Sequence, residues 1–211
     1  GDELIPPGQM LNSGQIYESN SYGLMAALKT MGIDPLNVIY ADDDQSRLNT
    51  AIEKGLQADI LILTGGVSVG EFDFVTEGLV TCGVNTIFHK VKQKPGKPLY
   101  FGKKNNTLIF GLPGNPASVM TCFYEYVQAA IIQFCQQEKP HELLYPLATE
   151  YRKKPGLTHF LKGQVHGNNV LILPGQESYL MNSFAIADCL IEIEEDTTVS
   201  KKGDLVKVLK L

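Results

Sequence analysis

Three short signatures rich in glycine and proline stand in order on this chain: Thr64-Gly65-Gly66-Val67-Ser68-Val69-Gly70-Glu71-Phe72-Asp73, then Lys94-Pro95-Gly96-Lys97-Pro98, then Gly111-Leu112-Pro113-Gly114-Asn115-Pro116. Each sits at or beside an apolar run that reads as a strand (59–63, 86–91, 108–110), and the first and third also lead into a candidate helix. Open α/β folds hold their ligands beyond the carboxyl ends of parallel strands, so all three signatures are expected at that edge. Exposed backbone N–H groups, two lysines and one acidic residue together suit an anionic, phosphate-bearing ligand.

The pattern up to about residue 140 alternates helix and strand. Residues 16–31 carry apolar Leu24, Leu28 and Met31, with Ser19 or Asn20 as cap and Gly32 as stop. Residues 38–41 read as a short strand. Asp42-Asp43-Asp44 then opens a helix with apolar Leu48, Ile52 and Leu56; the acidic run is read as cap and dipole partner, although three adjacent carboxylates also suit a magnesium ion. A long helix is expected from Pro116 to about Phe134. Strands and helices at this spacing mean βαβ units, and predict an α/β domain over 1–141 built as a three-layer open, mostly parallel sheet. After His141, proline and glycine recur and short β-type runs (160–165, 170–173, 189–193, 205–209) replace helices. Gly167-Asn168-Asn169 and Lys202-Gly203-Asp204 read as hairpin turns. A second, small all-β domain is expected over 142–211, after a linker near 138–147.

Composition narrows the class. Hydrophobic residues make up 44% and charged residues 19%, an ordinary globular balance. A net charge of −5 argues against broad nucleic-acid binding, which needs a basic face, although Lys90, Lys92, Lys94 and Lys97 form a local basic cluster. The four cysteines (Cys82, Cys122, Cys135, Cys189) are scattered, without metal-ligand spacing or a disulfide framework. No apolar stretch approaches the ~18 residues of a membrane span, and the opening Gly1-Asp2-Glu3 does not read as a signal peptide. These features predict a cytoplasmic protein without membrane or nucleic-acid partners. His89, His141, His159 and His166 follow no pattern and receive no role. Tyr17, Tyr100 and Phe101 are read as packing residues rather than ligand-stacking ones.

In the first signature, Gly65 and Gly66 permit a sharp turn after the strand, and their N–H groups, with those of Val67 and Ser68, can form an anion-binding concavity. Asp73 can accept from a ligand or hold Mg²⁺ against a phosphate; equally, it can be a helix N-cap beside glycines that merely turn the chain. In the second, two prolines bracket Gly96 and display Lys94 and Lys97 from a stiff turn, which lowers the ordering cost of oxyanion binding. In the third, Asn115 suits N-cap, Pro116 suits N1, and the Ser118 hydroxyl lies in the first helical turn, at the positive end of the dipole.

Together these residues resemble the molybdopterin molybdenumtransferase family, which includes the bacterial MoeA proteins and the gephyrin E domain. The matching marks are Gly1-Asp2-Glu3-Leu4, Gly14-Gln15-Ile16-Tyr17, the Gly-Gly-Val-Ser-x-Gly-x-x-Asp loop, Lys-Pro-Gly-Lys-Pro, Gly-Leu-Pro-Gly-Asn-Pro, and the Ser178…Ser183…Ala187-Asp188 stretch, so the likeness covers the whole chain. It implies a molybdopterin-binding α/β domain followed by a C-terminal β-barrel domain. It implies a transferase of molybdenum cofactor biosynthesis that uses adenylylated molybdopterin and molybdate, releases AMP with Mg²⁺, and leaves molybdenum on the dithiolene. Carried over by motif, Gly65, Gly66, Ser68, Gly70 and Asp73 bind the pterin phosphate and metal, with Asp73 the metal ligand. Lys94 and Lys97, with Asp73, are the catalytic set. Pro95, Gly96, Pro98, Gly111, Pro113, Gly114, Asn115, Pro116 and Ser118 line the cofactor and molybdate side, and Lys162 and Ser183 close it. A homodimer in full-length form and a molybdopterin adenylyltransferase partner are also implied.

Two departures accompany the resemblance. Family members carry a long N-terminal region and an apolar strand ahead of the Gly-Asp-Glu-Leu turn, inside which this chain begins; a fragment is therefore expected. Lys162 stands where the family usually has arginine, keeping the charge without the two-pronged geometry. Other functions compete: a non-catalytic molybdopterin-binding or scaffold module of the same fold, and a competence-damage-type domain acting on nucleotides. Asp73 with both lysines favours the enzyme, and the Lys-Pro-Gly-Lys-Pro turn counts against the nucleotide reading.

Overall fold

The computed structural model describes residues 3–41, 44–66, 74–138 and 141–211. Its first elements are β1 (Leu4–Ile5), β2 (Ile16–Tyr17), α1 (Asn20–Thr30), α2 (Gln45–Gly55), β3 (Ile60–Thr64), α3 (Phe74–Thr81) and β4 (Asn85–His89). Next come β5 (Gln93–Lys94), β6 (Tyr100–Lys104), β7 (Thr107–Leu112), α4 (Pro116–Cys122), a π-helical turn (Phe123–Val127) and α5 (Gln128–Phe134). The remainder is β8 (Leu143–Pro146), β9 (Tyr151–Arg152), β10 (Thr158–His166), β11 (Asn169–Ile172), α6 (Asn182–Ile186), β12 (Cys189–Ile193), β13 (Val199–Ser200) and β14 (Leu205–Lys210). The chain divides into two compact units, Gly1–His89 with Pro98–Gly114, and Lys90–Lys97 with Asn115–Leu211.

In the first unit, four strands form a sheet in the order β3-β7-β6-β4. β3 and β7 run parallel, with Ile60 opposite Leu108 and Thr64 opposite Leu112. The mostly parallel sheet expected from the alternating pattern ends there, because β6 is antiparallel to both β7 and β4. The reason lies at Asn105-Asn106. β6 stops at Lys104, β7 starts at Thr107 and Asn105 takes φ 53; a two-residue loop joins only antiparallel neighbours.

The local signals in this unit are mostly met. Asp44 caps α2, its carboxylate accepting from the Arg47 N–H at 2.9 Å; Asp42 and Asp43 lie outside the described residues. α1 begins after Ser19, but Glu18 supplies the acceptor for the Ser21 N–H at 2.9 Å, and Gly32 follows the helix at φ 71. Residues 38–41 do not form the expected strand. They pair with no strand among the described residues and stay exposed, Tyr40 at 68%, since β propensity without a ladder partner leaves the backbone to water. The core joins Ile52 of α2, Val75 and Leu79 of α3, Tyr100 of β6 and Ile109 of β7 with Cys82 and Val84. Tyr100 is fully buried, its hydroxyl 2.9 Å from that of Thr86, and Phe101 packs against Phe88 and Phe110. Both are packing residues, as expected.

In the second unit a sheet runs β11-β10-β12-β14-β8, with β5 added parallel to β10. One face carries a core of Leu147, Leu161, Val170, Cys189, Ile191, Ile193, Val206 and Val208. The resemblance implies a barrel-like domain here, and among the described residues the strands do not close into a barrel. One isolated bridge, Leu147 to Val170, joins the chain beyond β8 to β11, because β8 ends at Pro146, which lacks the N–H to extend a ladder. The tail is also not purely β, since α6 interrupts it. The expected long helix is continuous from Pro116 to Phe134, with the π-helical turn at its middle. No helix among the described residues is long and apolar enough to cross a membrane.

The π-helical turn places Glu125 and Tyr126 on a cavity of about 210 Å³ that Gln93, Thr158 and Glu192 also line. Burial, then repulsion from Glu192, lifts the Glu125 carboxyl from 4.5 to about 7, and Lys207 only partly opposes this; Lys207 is itself paired with Glu142 at 3.2 Å. An unfolded chain releases this proton near 4.5, whereas the folded one keeps it to about 7. Stability should therefore fall as pH rises through that window, by on the order of 3 kcal/mol, and level off above it. Glu125→Gln should flatten the fall, which denaturant melts of both proteins at about pH 5 and about pH 8 would test.

Candidate functional site

The first unit brings two glycine loops to one end of its parallel strand pair. β3 runs out at Thr64, and Gly65 and Gly66 follow at φ 79 and φ 67. The Gly65 N–H donates to the Leu112 carbonyl at the end of β7, at 3.2 Å. A Cβ on Gly114 would come within 3.8 Å of the Gly65 Cα, and one on Gly66 would meet Val75 Cγ2 at 2.5 Å. Glycine at 65 and 66 is thus required by a left-handed backbone, and at 66 also by close packing. The Asn20 side-chain amide donates to the Gly114 carbonyl at 2.9 Å, fixing the third signature from α1. Gly111 and Leu112 belong to β7, leaving Pro113 and Gly114 as the exit. Ser68, Gly70 and Asp73 lie outside the described residues.

The second unit holds the lysine turn. β5 carries Gln93 and Lys94, the Lys94–Pro95 peptide is cis, and Gly96 takes φ 92. Gln93, only 2% exposed, is the buttress: its amide donates to the Pro95 carbonyl at 2.9 Å, while its own oxygen accepts from the Tyr126 hydroxyl. Cys122 supports the other side, its thiol donating to the Gly96 carbonyl at 3.7 Å. Burial pushes that thiol up to about 12, so it stays a neutral donor. Lys94 and Lys97 are exposed on this braced turn. Ser118 lies behind it, with its carbonyl 3.7 Å from where a Gly96 Cβ would sit. The Ser118 backbone therefore lies beside the turn that carries both lysines.

The start of α4 differs in one detail from the simple cap. Asn115 occupies the N-cap position and Pro116 follows, but the Asn115 side chain makes no cap bond. It donates instead to the Ser178 hydroxyl at 3.0 Å, and the Ser178 carbonyl accepts from the Ala117 N–H at 3.0 Å. A loop between β11 and α6 thus supplies the cap.

Lys162 of β10 and Ser183 of α6 meet on that same loop. Both donate to the Gly175 carbonyl, each at 2.6 Å. Lys162 also reaches the carbonyls of Leu180 at 3.2 Å and Glu177 at 3.3 Å. The Lys162 ammonium thus lies within hydrogen-bond reach of three backbone carbonyls. Lys162 is 3% exposed and Ser183 4%. Gln93, Cys122, Gln176 and Ser178 were not among the expected site residues; apart from the Gln93 bond to Pro95 and the Gln176 bond to the Leu173 carbonyl, the contacts they make with Tyr126, Gly96, Lys162 and Asn115 lie well along the chain, out of reach of any local pattern. The proline spacing around Gly96 marks the turn without naming its supports.

Comparison with known proteins agrees over the full length. A family described as "Probable molybdopterin binding domain" matches residues 1–133, and "MoeA C-terminal region (domain IV)" matches residues 145–211. A molybdopterin molybdenumtransferase of Haemophilus influenzae is 34% identical over 218 residues, covering 99% of this chain and 54% of that protein. One of Synechocystis sp. is 32% identical over 212 residues, covering 97% of this chain and 52% of that protein. The crystal structure of a molybdopterin biosynthesis moeA protein of Pyrococcus horikosii superposes with a TM-score of 0.82 at 27% identity, covering 99% of this chain and 51% of that one. The chain spans about half the length of the curated relatives it matches.

The packing around Gly96 generates a stability test. Alanine there would carry a Cβ at φ 92 with Cys122 Sγ at 2.5 Å and Gln93 Nε2 at 2.7 Å, whereas at Gly203, also φ 92, nothing lies within 4 Å. Gly96→Ala should lose about 2–4 kcal/mol and Gly203→Ala about 1 kcal/mol, read from denaturant midpoints at unchanged slope.

Proposed function

This chain belongs to the molybdopterin molybdenumtransferase family, and on that premise we propose that it forms part of an enzyme inserting molybdate into adenylylated molybdopterin with release of AMP. One observation carries the reading: two exposed lysines on a turn held from beneath by Gln93 and Cys122, next to Ser118. Molybdate is a tetrahedral dianion. Two ammonium groups match its charge, and a pre-braced turn need not be ordered when the anion arrives.

The roles follow from the donor set. Lys94 and Lys97 bind the molybdate oxygens and stabilise negative charge as it shifts during transfer. Pro95, Gly96 and Pro98 keep the turn rigid. Ser118 and Ser183 are assigned to the molybdate side, the Ser183 hydroxyl being held on the Gly175 carbonyl. Gly65, Gly66, Ser68 and Gly70 receive the pterin phosphate on backbone N–H groups, and Gly111, Pro113, Gly114, Asn115 and Pro116 are assigned to cofactor binding. Asp73 is the assigned ligand of a magnesium ion, whose chemistry is to offset charge at the cleaved phosphoanhydride. Among the described residues no three of His, Cys, Asp and Glu converge on a metal site, so no step is derived through the ion.

The same proposal includes a molybdopterin-binding domain over 1–141 and a C-terminal domain over 142–211. The family matches support it by leaving residues 134–144 unclaimed between them. A homodimer in full-length form, a molybdopterin adenylyltransferase as supplier of substrate, and a cytoplasmic setting complete the reading.

The test is AMP release from adenylylated molybdopterin on addition of molybdate, measured in a full-length context. Lys94→Ala and Lys97→Ala should each keep the fold, being exposed, and lower the rate by about a hundredfold or more. Asp73→Asn should also cut turnover severely. Wild-type rates in both lysine variants would overturn the reading.

A further inference from the structure

We infer that Lys162 is a positioning residue: it gathers the backbone carbonyls of Gly175, Glu177 and Leu180 and thereby holds the 174–181 loop, through Ser178, on the first turn of α4. The inference rests on the reading above that the Asn115–Ser118 turn belongs to the site.

An ammonium group has three protons, and here three carbonyl oxygens lie within reach, at 2.6, 3.2 and 3.3 Å. The Phe184 ring, 5.7 Å from Nζ, covers another side. A charge at 3% exposure is tolerable only when its donors are satisfied, and this one is satisfied by the loop rather than by a carboxylate. Burial holds the Lys162 pKa below its ordinary value, with Glu177 opposing. A compact ammonium suits carbonyls that converge on a point, as a planar guanidinium fork does not.

The loop depends on β10 in a second way. The Gln176 side chain accepts from the Lys162 N–H and donates to the Lys162 carbonyl, both at 2.9 Å, so backbone and side chain of one residue clasp it together. From the loop, Ser178 passes the constraint on. Its hydroxyl accepts from Asn115 and its carbonyl from the Ala117 N–H. Lys162 therefore acts on the α4 turn without facing a ligand itself.

Two amides report on this arrangement, Leu180, bonded to the Glu177 carbonyl at 3.2 Å, and Ala117. In Lys162→Met, hydrogen exchange at both should accelerate about tenfold or more while the β12 amides keep their protection. Ammonium chloride, filling the emptied carbonyl cage, should slow both again; sodium chloride should not. Molybdate affinity, titrated in the same samples, should weaken and recover in step with the exchange. Wild-type exchange at Leu180 and Ala117 in Lys162→Met would overturn the inference. So would weakened molybdate binding with unaltered exchange, which would make Lys162 a direct ligand. Should Lys162→Met lose β12 protection, Lys162→Gln, which keeps two donors, should give intermediate acceleration, and wild-type rates in it would likewise overturn the inference. Failure of the wild type to bind molybdate would count against the proposed site alone, since the exchange data judge Lys162 independently.

Discussion

Backbone amides and carbonyls that leave a ladder still need partners, and in the second unit buried side chains provide them. Gln93 serves the lysine turn, and Lys162 with Gln176 serves the loop before α6. The Gln93 and Lys162 side chains project from β5 and β10, which are themselves paired in parallel, Gln93 opposite Thr158 and Lys94 opposite His159. The two irregular segments thus hang from adjacent strands. Their conformations are settled by hydrogen bonds that are short, directional and shielded from water, where each is worth more than at the surface.

The lysines divide by environment rather than by sequence. Lys94 and Lys97 stand exposed on a rigid turn, whereas Lys162 is enclosed and saturated. The first arrangement leaves charge available to an incoming anion; the second turns charge into scaffold. A motif comparison treats all three as members of one binding set, and only the acceptors around each nitrogen separate them.

What was legible in the sequence was local. The run 189–193 and the acidic cap at Asp44 came out as read, since period, composition and capping chemistry act within a few residues. The lysine turn was legible for the same reason, because Pro95 and Pro98 restrict their own dihedral angles and Gly96 permits the positive φ between them. Strand direction was not. The parallel expectation failed at β6, a strand the apolar pattern does not mark and whose direction two asparagines decide. Residues 38–41 had the composition of a strand but no partner among the described residues, and pairing lies outside any local pattern. The supports of the site, Gln93 on Tyr126 and Ser178 on Asn115, are long-range contacts between ordinary polar residues.

Cys122 has a practical consequence. Its sulfur is fully buried, its thiol stays protonated to about 12, and it touches the turn that bears both lysines. Cys82 and Cys189 are buried elsewhere, and Cys135 alone is exposed. An alkylating reagent is therefore expected to reach Cys135 first, and Cys122 only after an opening that uncovers its sulfur, such as the turn lifting from α4. The rate at which Cys122 is alkylated would thus time the opening of the lysine turn with no residue of the protein changed beforehand.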